Sequence, residues 1–488
     1  MLRLAPGWVS LGLAGALLVT ITGSRLGGGT VSWWFHPKIL GGGTSSKLVF
    51  YAGMVAVAAA WIGLGHLASS RFCKPYQLMT VAILWCLPLA LGAPLFSRDV
   101  YSYIAQGTIA HLGLNPYHEA PLVLGQLGHA HVLSAVDPFW RRATAPYGPL
   151  FLALVSLIVG VTGSNLVLGV LVLRGFDLVG LALLAIFVPR LARRAGADPS
   201  RAVWLAVLSP LMLFQLVAPA HNDLLMVGLM VAGVTLALER GPLLGIAVCM
   251  VAATIKVPAA LAAMFIAAAW IGDQPTARAR LASTGKAAAA AIAPAAAVTL
   301  ITGFGLAWVS TALFSTPARV RLAITPATDI SWTAARLLND VGLAVSFRGL
   351  ESVLRAVAFG ACAIVALALL RKARPQTAAL FLGVALVVFA LGGPAVWPWY
   401  FSWGLVLLAA SAATQASRVT AAAVLVASFL VKPGGILALP LGSSPFVAGV
   451  WLLLAAVTWY VWRRRAHARE ITEPVDNLRP GRSALAEH

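Results

Sequence analysis

Two carboxylates lie where an apolar segment meets a membrane surface, and they are the strongest candidates for acid–base chemistry. Asp99 follows a long apolar run in SRDVYSY, and Asp223 precedes another in PAHNDLL. Burying an unpaired charge in hydrocarbon is costly, which places both residues at a surface. A carboxylate there can accept the proton of a substrate hydroxyl. Asp99 is the preferred general base, and Asp223 remains the alternative.

Other carboxylates on the same predicted face are weaker candidates, because carboxylates in loops are commonly solvated or cap helices. They are Glu119, Asp137, Asp329, Asp340 and Glu351.

Four basic residues could stabilise an anionic leaving group near these carboxylates: Arg98, Lys256, Arg319 and Arg321. Arginine is favoured, since its forked donors match phosphate oxygens. Arg319 and Arg321 lie in a predicted external loop, where the positive-inside rule does not place them. Contact with lipid headgroups is an equally good explanation for those two.

Aromatic faces and side-chain amides suited to holding a sugar are abundant in the same regions. They are Tyr101, Tyr103, Gln106, Asn115, Tyr117, Tyr147, His221, Asn222, Trp397, Trp399 and Tyr400. Interfacial Trp and Tyr also form belts in ordinary membrane proteins. Pro394 and Pro398 interrupt the last segment, which favours a functional role for it.

The composition indicates which elements must position these residues. The chain has 488 residues, of which 60% are hydrophobic and 10% charged. Lipid accepts only helices or closed barrels, and the alternation typical of barrel strands is absent. We predict an all-α polytopic membrane protein with about 12–14 transmembrane helices. The first apolar run, Val9 to Ile21, lacks a clean cleavage site and is interpreted as a retained helix.

Basic residues in short loops predict the orientation of the chain in the plasma membrane. The loops around 71–74, 190–201, 278–286, 371–374 and 463–465 are expected to be cytoplasmic. The candidate residues then share the extracytoplasmic face. We predict one membrane domain, 1–465, with a catalytic loop at 97–147 and a second external loop at 303–349. Residues 466–488 form a disordered cytoplasmic tail.

Two features inside the apolar runs are unusual. The run from Leu243 to Ile271 is too long for one helix and carries Lys256, Val257 and Pro258 at its middle, which predicts two short helices. Arg174 and Asp177 are spaced i, i+3 on one apolar helix, which predicts an intramembrane ion pair or, failing that, a functional site.

Other classes of site and partner are disfavoured. The net charge of +20 reflects loop orientation, so we expect no nucleic-acid partner. The four cysteines are dispersed, which predicts packing residues and neither a disulfide framework nor a metal cluster. Four histidines, at 111, 118, 129 and 131, share the first loop, but their spacing is weak evidence for a metal site.

The motifs SRDVYSYIAQG (97–107), GLNPY (113–117), APYGPL (145–150), PAHND (219–223) and WPWY (397–400) resemble a known family. It is the GT-C class of membrane mannosyltransferases that use polyprenyl-phosphate-mannose, in particular the actinobacterial α-1,6-mannosyltransferases of the MptA/MptB type. The resemblance extends over roughly residues 50 to 465 and implies a GT-C fold, with the catalytic aspartate of the first external loop at Asp99. D-x-D pairs, which hold a metal in some relatives, do not occur around Asp99. We therefore expect no cofactor and leave dependence on a divalent metal open.

The resemblance also implies the reaction and its partners. An inverting enzyme would move mannose from polyprenyl-phosphate-mannose to a lipid-anchored α-1,6-mannan, a lipomannan precursor on phosphatidylinositol mannoside, within the lipid bilayer. An arabinosyltransferase using polyprenyl-phosphate-arabinose would need almost the same residues. A lipid or glycan transporter is the rival from another class, but transporters concentrate polar residues near the midplane and show related halves. A scaffold role in the cell envelope ranks last.

Overall fold

The computed structural model describes residues 6–27, 31–34, 43–68, 73–163, 165–311, 321, 324–411, 414–439 and 445–452. Three predictions lie wholly outside these residues, namely the cytoplasmic loop at 463–465, the cytoplasmic tail at 466–488 and the role of Arg319.

The described residues form helices, turns and one isolated β-bridge between Val431 and Leu437, with no β-strand. In chain order the helices are α1 (Pro6–Leu26), α2 (Thr44–Ala68), α3 (Pro75–Leu91), α4 (Asp99–His111), α5 (Ala130–Ala135), α6 (Pro149–Thr162), α7 (Leu166–Arg194), α8 (Pro199–Ala206), α9 (Pro210–Met212), α10 (Asp223–Glu239), α11 (Pro242–Ala253), α12 (Ala260–Gly272), α13 (Ala277–Thr302), α14 (Ala307–Ser310), α15 (Pro326–Asp340), α16 (Phe347–Lys372), α17 (Ala378–Gly392), α18 (Ser402–Ala409) and α19 (Thr414–Phe429). Within the described ranges, three 3₁₀ turns, Pro121–Gly125, Val257–Ala259 and Pro398–Phe401, and one π turn, Leu213–Val217, lie between the helices. The predicted all-α architecture is confirmed.

Six segments of the described chain are long and apolar enough to cross a membrane: α1, α2, α7, α13, α16 and the composite segment Pro199–Val217. They differ in how deeply they are packed. Pro199–Val217 lies almost wholly inside the protein, whereas the apolar faces of α13 and α16 remain largely uncovered. Apolar faces left uncovered on membrane helices are solvated by lipid, so α13 and α16 are peripheral helices and Pro199–Val217 is central.

Glycines allow close contact between α7 and α10. A Cβ placed on Gly180 would lie 2.3 Å from the carbonyl oxygen of Leu224, and one on Gly228 would lie 2.5 Å from that of Gly180. Helices in lipid associate by van der Waals packing, which improves when small residues let backbones approach. This contact fixes the start of α10, where Asp223 lies.

The predicted break in the run from Leu243 to Ile271 is confirmed. α11 ends at Ala253, α12 begins at Ala260, and Lys256 between them is extended. The residues before α6 cover the freed backbone: the N–H of Gly148 donates to the carbonyl oxygen of Ile255 at 2.9 Å. This pairing satisfies backbone that a membrane helix cannot leave unpaired.

The ion pair predicted between Arg174 and Asp177 is not formed. The Arg174 guanidinium donates instead to the carbonyl oxygens of Ala90 (2.7 Å), Gly92 (2.6 Å) and Ala218. The C-terminal carbonyls of a helix lack intrahelical donors and carry partial negative charge, so they compete for a buried cation. Arg174 thereby ties the end of α3 to the segment that precedes α10.

Candidate active site

A cavity of about 520 Å³ lies where the first loop, the α11–α12 break and the segment before α18 meet. Its polar end carries Asp99, Tyr147 and Lys256, and four rings stand beside them: Trp397, Trp399, Tyr400 and Trp403. The structure therefore brings together six predicted site residues in one cavity, although they come from segments far apart in the chain.

Asp99 is the first residue of α4, and its side chain faces the cavity with 15% of its surface exposed. Its backbone N–H donates to the hydroxyl of Ser97 at 3.0 Å, which fixes the start of the helix. Burial raises the pKa of Asp99 to about 6, while the charge of Lys256 and the hydroxyl of Ser97 act in the opposite direction. A carboxyl with this pKa is a competent base near neutral pH.

His221 lies directly behind Asp99 and is fully buried. Its Nδ1 is 2.6 Å from the carbonyl oxygen of Gln215, and its ring packs against Trp399 with centroids 4.1 Å apart. Its Nε2 is 3.7 Å from Oδ2 of Asp99. Burial lowers the pKa of His221 to about 4, so the imidazole is neutral near pH 7.

Asp223 differs from Asp99 because both of its oxygens are occupied. Lys256 donates to Oδ2 at 2.7 Å and the indole of Trp403 donates to Oδ1 at 2.6 Å. Asp223 has no exposed surface and does not line the cavity. A carboxylate held in this way orients the lysine and has no free oxygen for a substrate.

Lys256 is held from two directions at the edge of the cavity. Besides its contact with Asp223, its ammonium lies 4.7 Å from the ring centroid of Tyr400 and 5.6 Å from that of Trp403. These two rings are stacked at 4.3 Å. Cation–π contacts and one carboxylate leave part of the ammonium free to bind an anion in the cavity.

Several residues of the first loop position Tyr147 and do not themselves line the cavity. The Tyr117 hydroxyl donates to the Tyr147 carbonyl oxygen at 2.8 Å, and the amide of Asn115 donates to the Phe304 carbonyl oxygen at 3.2 Å. The rings of Tyr103 and Tyr147 meet edge to face at 5.0 Å. These contacts hold the loop against the rest of the protein.

Other predicted site residues lie away from the cavity wall. Arg98 donates to the carbonyl oxygen of Ala135 at 2.6 Å, and Arg321 pairs with Glu351 at 2.8 Å. Tyr101, Gln106 and Asn222 are buried and do not line the cavity. Of the cations that the structure describes, Lys256 alone lines the cavity.

Trp403 and Trp140 line the cavity but were not among the predicted site residues. Trp403 lies three residues after Tyr400, at the start of α18, so it shares a helix face with the predicted aromatic segment. That spacing was the available signal. Trp140 carries no comparable signal in the loop sequence.

The far wall of the cavity is entirely apolar. α16 contributes Phe359, Ala363, Ala366, Leu367 and Leu370, which recur at helical spacing along one face. α12 and α17 complete the wall, with Leu261, Met264, Phe265, Leu386 and Phe389. Phe359, Leu367 and Met264 are each about half exposed, at 46%, 47% and 53%. The apolar end of the cavity is therefore partly open at the protein surface beside α12 and α16.

Within the described part of the chain, no three His, Cys, Asp or Glu side chains converge as metal ligands. His129 and His131 have ring centroids 6.3 Å apart. The four cysteines are buried and unbonded to one another, as packing residues.

Comparisons with known proteins agree over most of the chain. A family model described as alpha-(1->6)-mannopyranosyltransferase, N-terminal domain, matches residues 9–272, and one described as MptB C-terminal domain matches residues 328–464. Alpha-(1->6)-mannopyranosyltransferase A of Mycobacterium tuberculosis is 32% identical over 95% of this chain and 91% of its own length. Alpha-(1->6)-mannopyranosyltransferase B of Corynebacterium glutamicum is 28% identical over 94% of this chain and 82% of its own. No solved structure matches the chain.

Proposed function

The chain belongs to the family of alpha-(1->6)-mannopyranosyltransferases, and on this premise we propose that it moves mannose from polyprenyl-phosphate-mannose to an α-1,6-mannan acceptor. The acceptor is a lipid-anchored chain, a lipomannan precursor on phosphatidylinositol mannoside. Transfer takes place at the extracytoplasmic face of the plasma membrane. One observation carries the proposal: a single cavity joins a carboxylate, an ammonium and an apolar wall whose side chains are partly exposed at the protein surface.

The apolar wall suits the prenyl chain of the donor. Its residues on α12, α16 and α17 offer a continuous hydrocarbon surface, and its partly exposed side chains let a lipid enter from the bilayer. A polyprenyl chain that stays in apolar surroundings loses no hydrophobic contact on binding. The phosphate then comes to lie at the polar end, beside Lys256.

Lys256 is the cation placed to receive the donor phosphate. The carboxylate of Asp223 and the rings of Tyr400 and Trp403 fix its ammonium at the cavity edge. A prepositioned cation stabilises the negative charge that develops on a leaving phosphate without reorganising in the transition state. The leaving group departs ionised, so it needs no general acid.

Asp99 is the base for the acceptor hydroxyl. In one displacement the acceptor oxygen bonds to C1 of mannose, the C1–O bond to phosphate breaks, and the hydroxyl proton passes to the Asp99 carboxylate. A β-linked donor gives an α product by this inversion. One carboxylate suffices, since no covalent intermediate is formed.

The aromatic side chains at the polar end supply faces for the sugar. The rings of Trp397 and Trp399 are stacked with centroids 4.6 Å apart, and Tyr147 lines the same cavity. Broad ring faces pack against the C–H groups of a pyranose while its hydroxyls remain free for hydrogen bonds.

The first test is mannose transfer from synthetic polyprenyl-phosphate-mannose to a short α-1,6-mannoside, in membranes that contain wild-type protein or Asp99→Asn at equal amounts. We expect transfer by the wild type and a loss of roughly a thousandfold in the variant, the scale of a lost general base. Glu119→Gln, which removes one negative charge from the same loop, is the matched control and should retain activity.

Other donors and variants separate the alternatives. Transfer from polyprenyl-phosphate-arabinose and not from the mannose donor would replace the proposed sugar. Full activity of Asp99→Asn with loss in Asp223→Asn would move the base to Asp223. Absence of wild-type transfer with any such donor would contradict the proposed function.

A further inference from the structure

His221 presents an unsatisfied nitrogen to the candidate base. Its Nε2 is buried, has no hydrogen-bond partner, and lies 3.7 Å from Oδ2 of Asp99. A buried polar atom without a partner is costly and calls for an explanation at this position. The neighbouring oxygen belongs to the residue that accepts a proton in the proposed reaction.

The tautomer of His221 follows from its other nitrogen. The carbonyl oxygen of Gln215 lies 2.6 Å from Nδ1 and can only accept a hydrogen bond, so Nδ1 carries the hydrogen. The neutral imidazole then has a lone pair on Nε2, and this lone pair points towards Asp99. Two acceptors therefore face each other while Asp99 is ionised.

Protonation of Asp99 resolves this conflict. Once the Asp99 carboxyl carries a hydrogen, it can donate to Nε2, and a small side-chain rotation shortens 3.7 Å to a hydrogen bond, as commonly happens between a resting and a working site. We infer that His221 is a positioning residue that favours the protonated form of Asp99 and so strengthens it as the base. This inference rests on the proposed function.

The proton balance is simple. The acceptor hydroxyl loses its proton to Asp99 as its oxygen bonds to C1 of mannose, and the new O–H of Asp99 donates to Nε2. His221 stays neutral throughout, in keeping with its depressed pKa of about 4. The proton leaves Asp99 to solvent after the product departs.

The charged groups near Asp99 and His221 either pair with one another or favour one protonation state of Asp99 in a direction set by their charge. Lys256 favours ionised Asp99, whereas Asp223 and Asp137 disfavour it. Near His221, the charges are those of Asp223 and Lys256. Lys256 and Asp223 form an ion pair with one another and act on Asp99 in opposite directions. Among the uncharged groups, the Ser97 hydroxyl favours the ionised carboxyl, whereas the lone pair on Nε2 of His221 favours the protonated one.

The test is the pH dependence of transfer by His221→Gln and His221→Phe, with His111→Gln as the matched control at an exposed position. In His221→Gln an amide N–H can donate to the Asp99 carboxylate, which stabilises its ionised form. We expect kcat to fall by up to about tenfold and the acid limb to move down by about one pH unit. His221→Phe should move it in the same direction, and the control should leave it in place.

Two results would overturn the inference. An acid limb that moves upward in both variants would mean that His221 is a cation that stabilises the carboxylate. An unmoved limb in an active variant would mean that His221 only packs against Trp399. Either result leaves the proposed function standing if the wild type transfers mannose.

A second measurement does not depend on activity. In ¹⁵N-histidine-labelled protein, the signal lost in His221→Gln identifies His221. Its Nε2 shift should be that of an unprotonated nitrogen and should change as Asp99 titrates. The change should be absent in Asp99→Asn, and a protonated Nε2 at neutral pH would contradict the inference.

Discussion

At the scale of single residues, Asp99 and Asp223 have the same side chain but different contacts, and the contacts suit them to different roles. Both were predicted from their place at the junction of an apolar segment and a surface. Asp223 is enclosed by Lys256 and Trp403, while Asp99 keeps an exposed oxygen in the cavity. Since a base must reach its proton directly, Asp99 carries the proposed acid–base role and Asp223 a supporting one.

The raised pKa of Asp99 predicts how the rate of transfer depends on pH. The ionised carboxylate is the active form, and the pKa of Asp99 is about 6. The rate should therefore be constant well above pH 6 and fall about tenfold per unit well below it. Initial rates of transfer between pH 5 and pH 8 test this, and a rate that rises on acidification would contradict it.

Replacing Lys256 should alter both binding and pH dependence. In Lys256→Met the donor phosphate loses its cation, so KM for the donor should rise at least tenfold. The positive charge that lowers the pKa of Asp99 is also lost, so the acid limb should move to higher pH.

Lys286→Met is the control for this variant, because Lys286 is exposed on α13. Steady-state kinetics at several pH values measure both quantities. An unchanged donor KM in Lys256→Met would remove Lys256 from the phosphate site.

The sequence favoured Asp99 over Asp223 as the base, but it did not contain the contacts that distinguish the two carboxyls. Their ranking depends on Lys256 and Trp403, which follow Asp223 by 33 and 180 positions. No local pattern encodes such a pairing, since it arises only when the helices pack.

At the scale of elements, the site depends on how three connecting segments are fastened. Arg174 on α7 holds the end of α3 and the carbonyl of Ala218, and the N–H of Leu95 donates to the same carbonyl at 3.4 Å. The segments that lead into α4 and α10 are thus fixed to each other. Gly148 fastens the third segment to the α11–α12 break.

Gly148→Ala should separate the first loop from the break. A Cβ at this position would lie 2.1 Å from the Thr254 carbonyl oxygen, so the backbone must move apart. Overpacking of this kind costs about 1–3 kcal/mol. Tyr147 should shift away from Lys256, with a lower Tm and a loss of transfer activity.

Gly175→Ala is the matched control, because a Cβ on Gly175 meets no atom within 4 Å. It should preserve both Tm and activity. Thermal unfolding in detergent and transfer assays compare the two, and equal behaviour would contradict the proposed tight contact.

Local sequence rules predicted the helix break near Lys256 correctly, but they predicted the wrong partner for Arg174. Pro258 cannot continue a helix, so the break near Lys256 was predictable. The i, i+3 spacing of Arg174 and Asp177 placed them on one side of α7, but it gave no information about the helix-end carbonyls of Ala90 and Gly92. Those carbonyls bind the guanidinium.

At the scale of the whole molecule, the cavity is shared between the two regions that the family models match. Asp99 and Lys256 belong to residues 9–272, whereas α16 and the rings from Trp397 to Trp403 belong to residues 328–464. The composition predicted the membrane helices. No pattern in the sequence predicted which of these helices face one another across the cavity. Nearly every apolar helix has a face like that of α16.

A large side chain placed at the apolar end of the cavity should impair donors with a long prenyl chain more than donors with a short one. In Ala363→Trp a large ring enters the wall of α16, so KM for a donor with a long prenyl chain should rise about tenfold or more. A donor with a short prenyl chain should be affected much less, because it does not reach that wall. Ile364→Trp changes an exposed neighbour that does not line the cavity and is the control.

Transfer assays with both donors measure this difference. Equal effects of Ala363→Trp on the short and the long donor would indicate general damage to the fold. No effect on either would place the prenyl chain elsewhere.

The bond from Trp403 to Asp223 also has a consequence for biogenesis. Asp223 and Lys256 are synthesised well before Trp403. The nascent protein must therefore insert both charges before the indole that donates to Asp223 and packs against Lys256 has been made. Until α18 has been synthesised, the two charges can pair only with one another and with the water or insertion machinery around them. The proposed site is therefore complete only after residue 403 has been synthesised, and we expect a chain that stops before Trp403 to lack transfer activity.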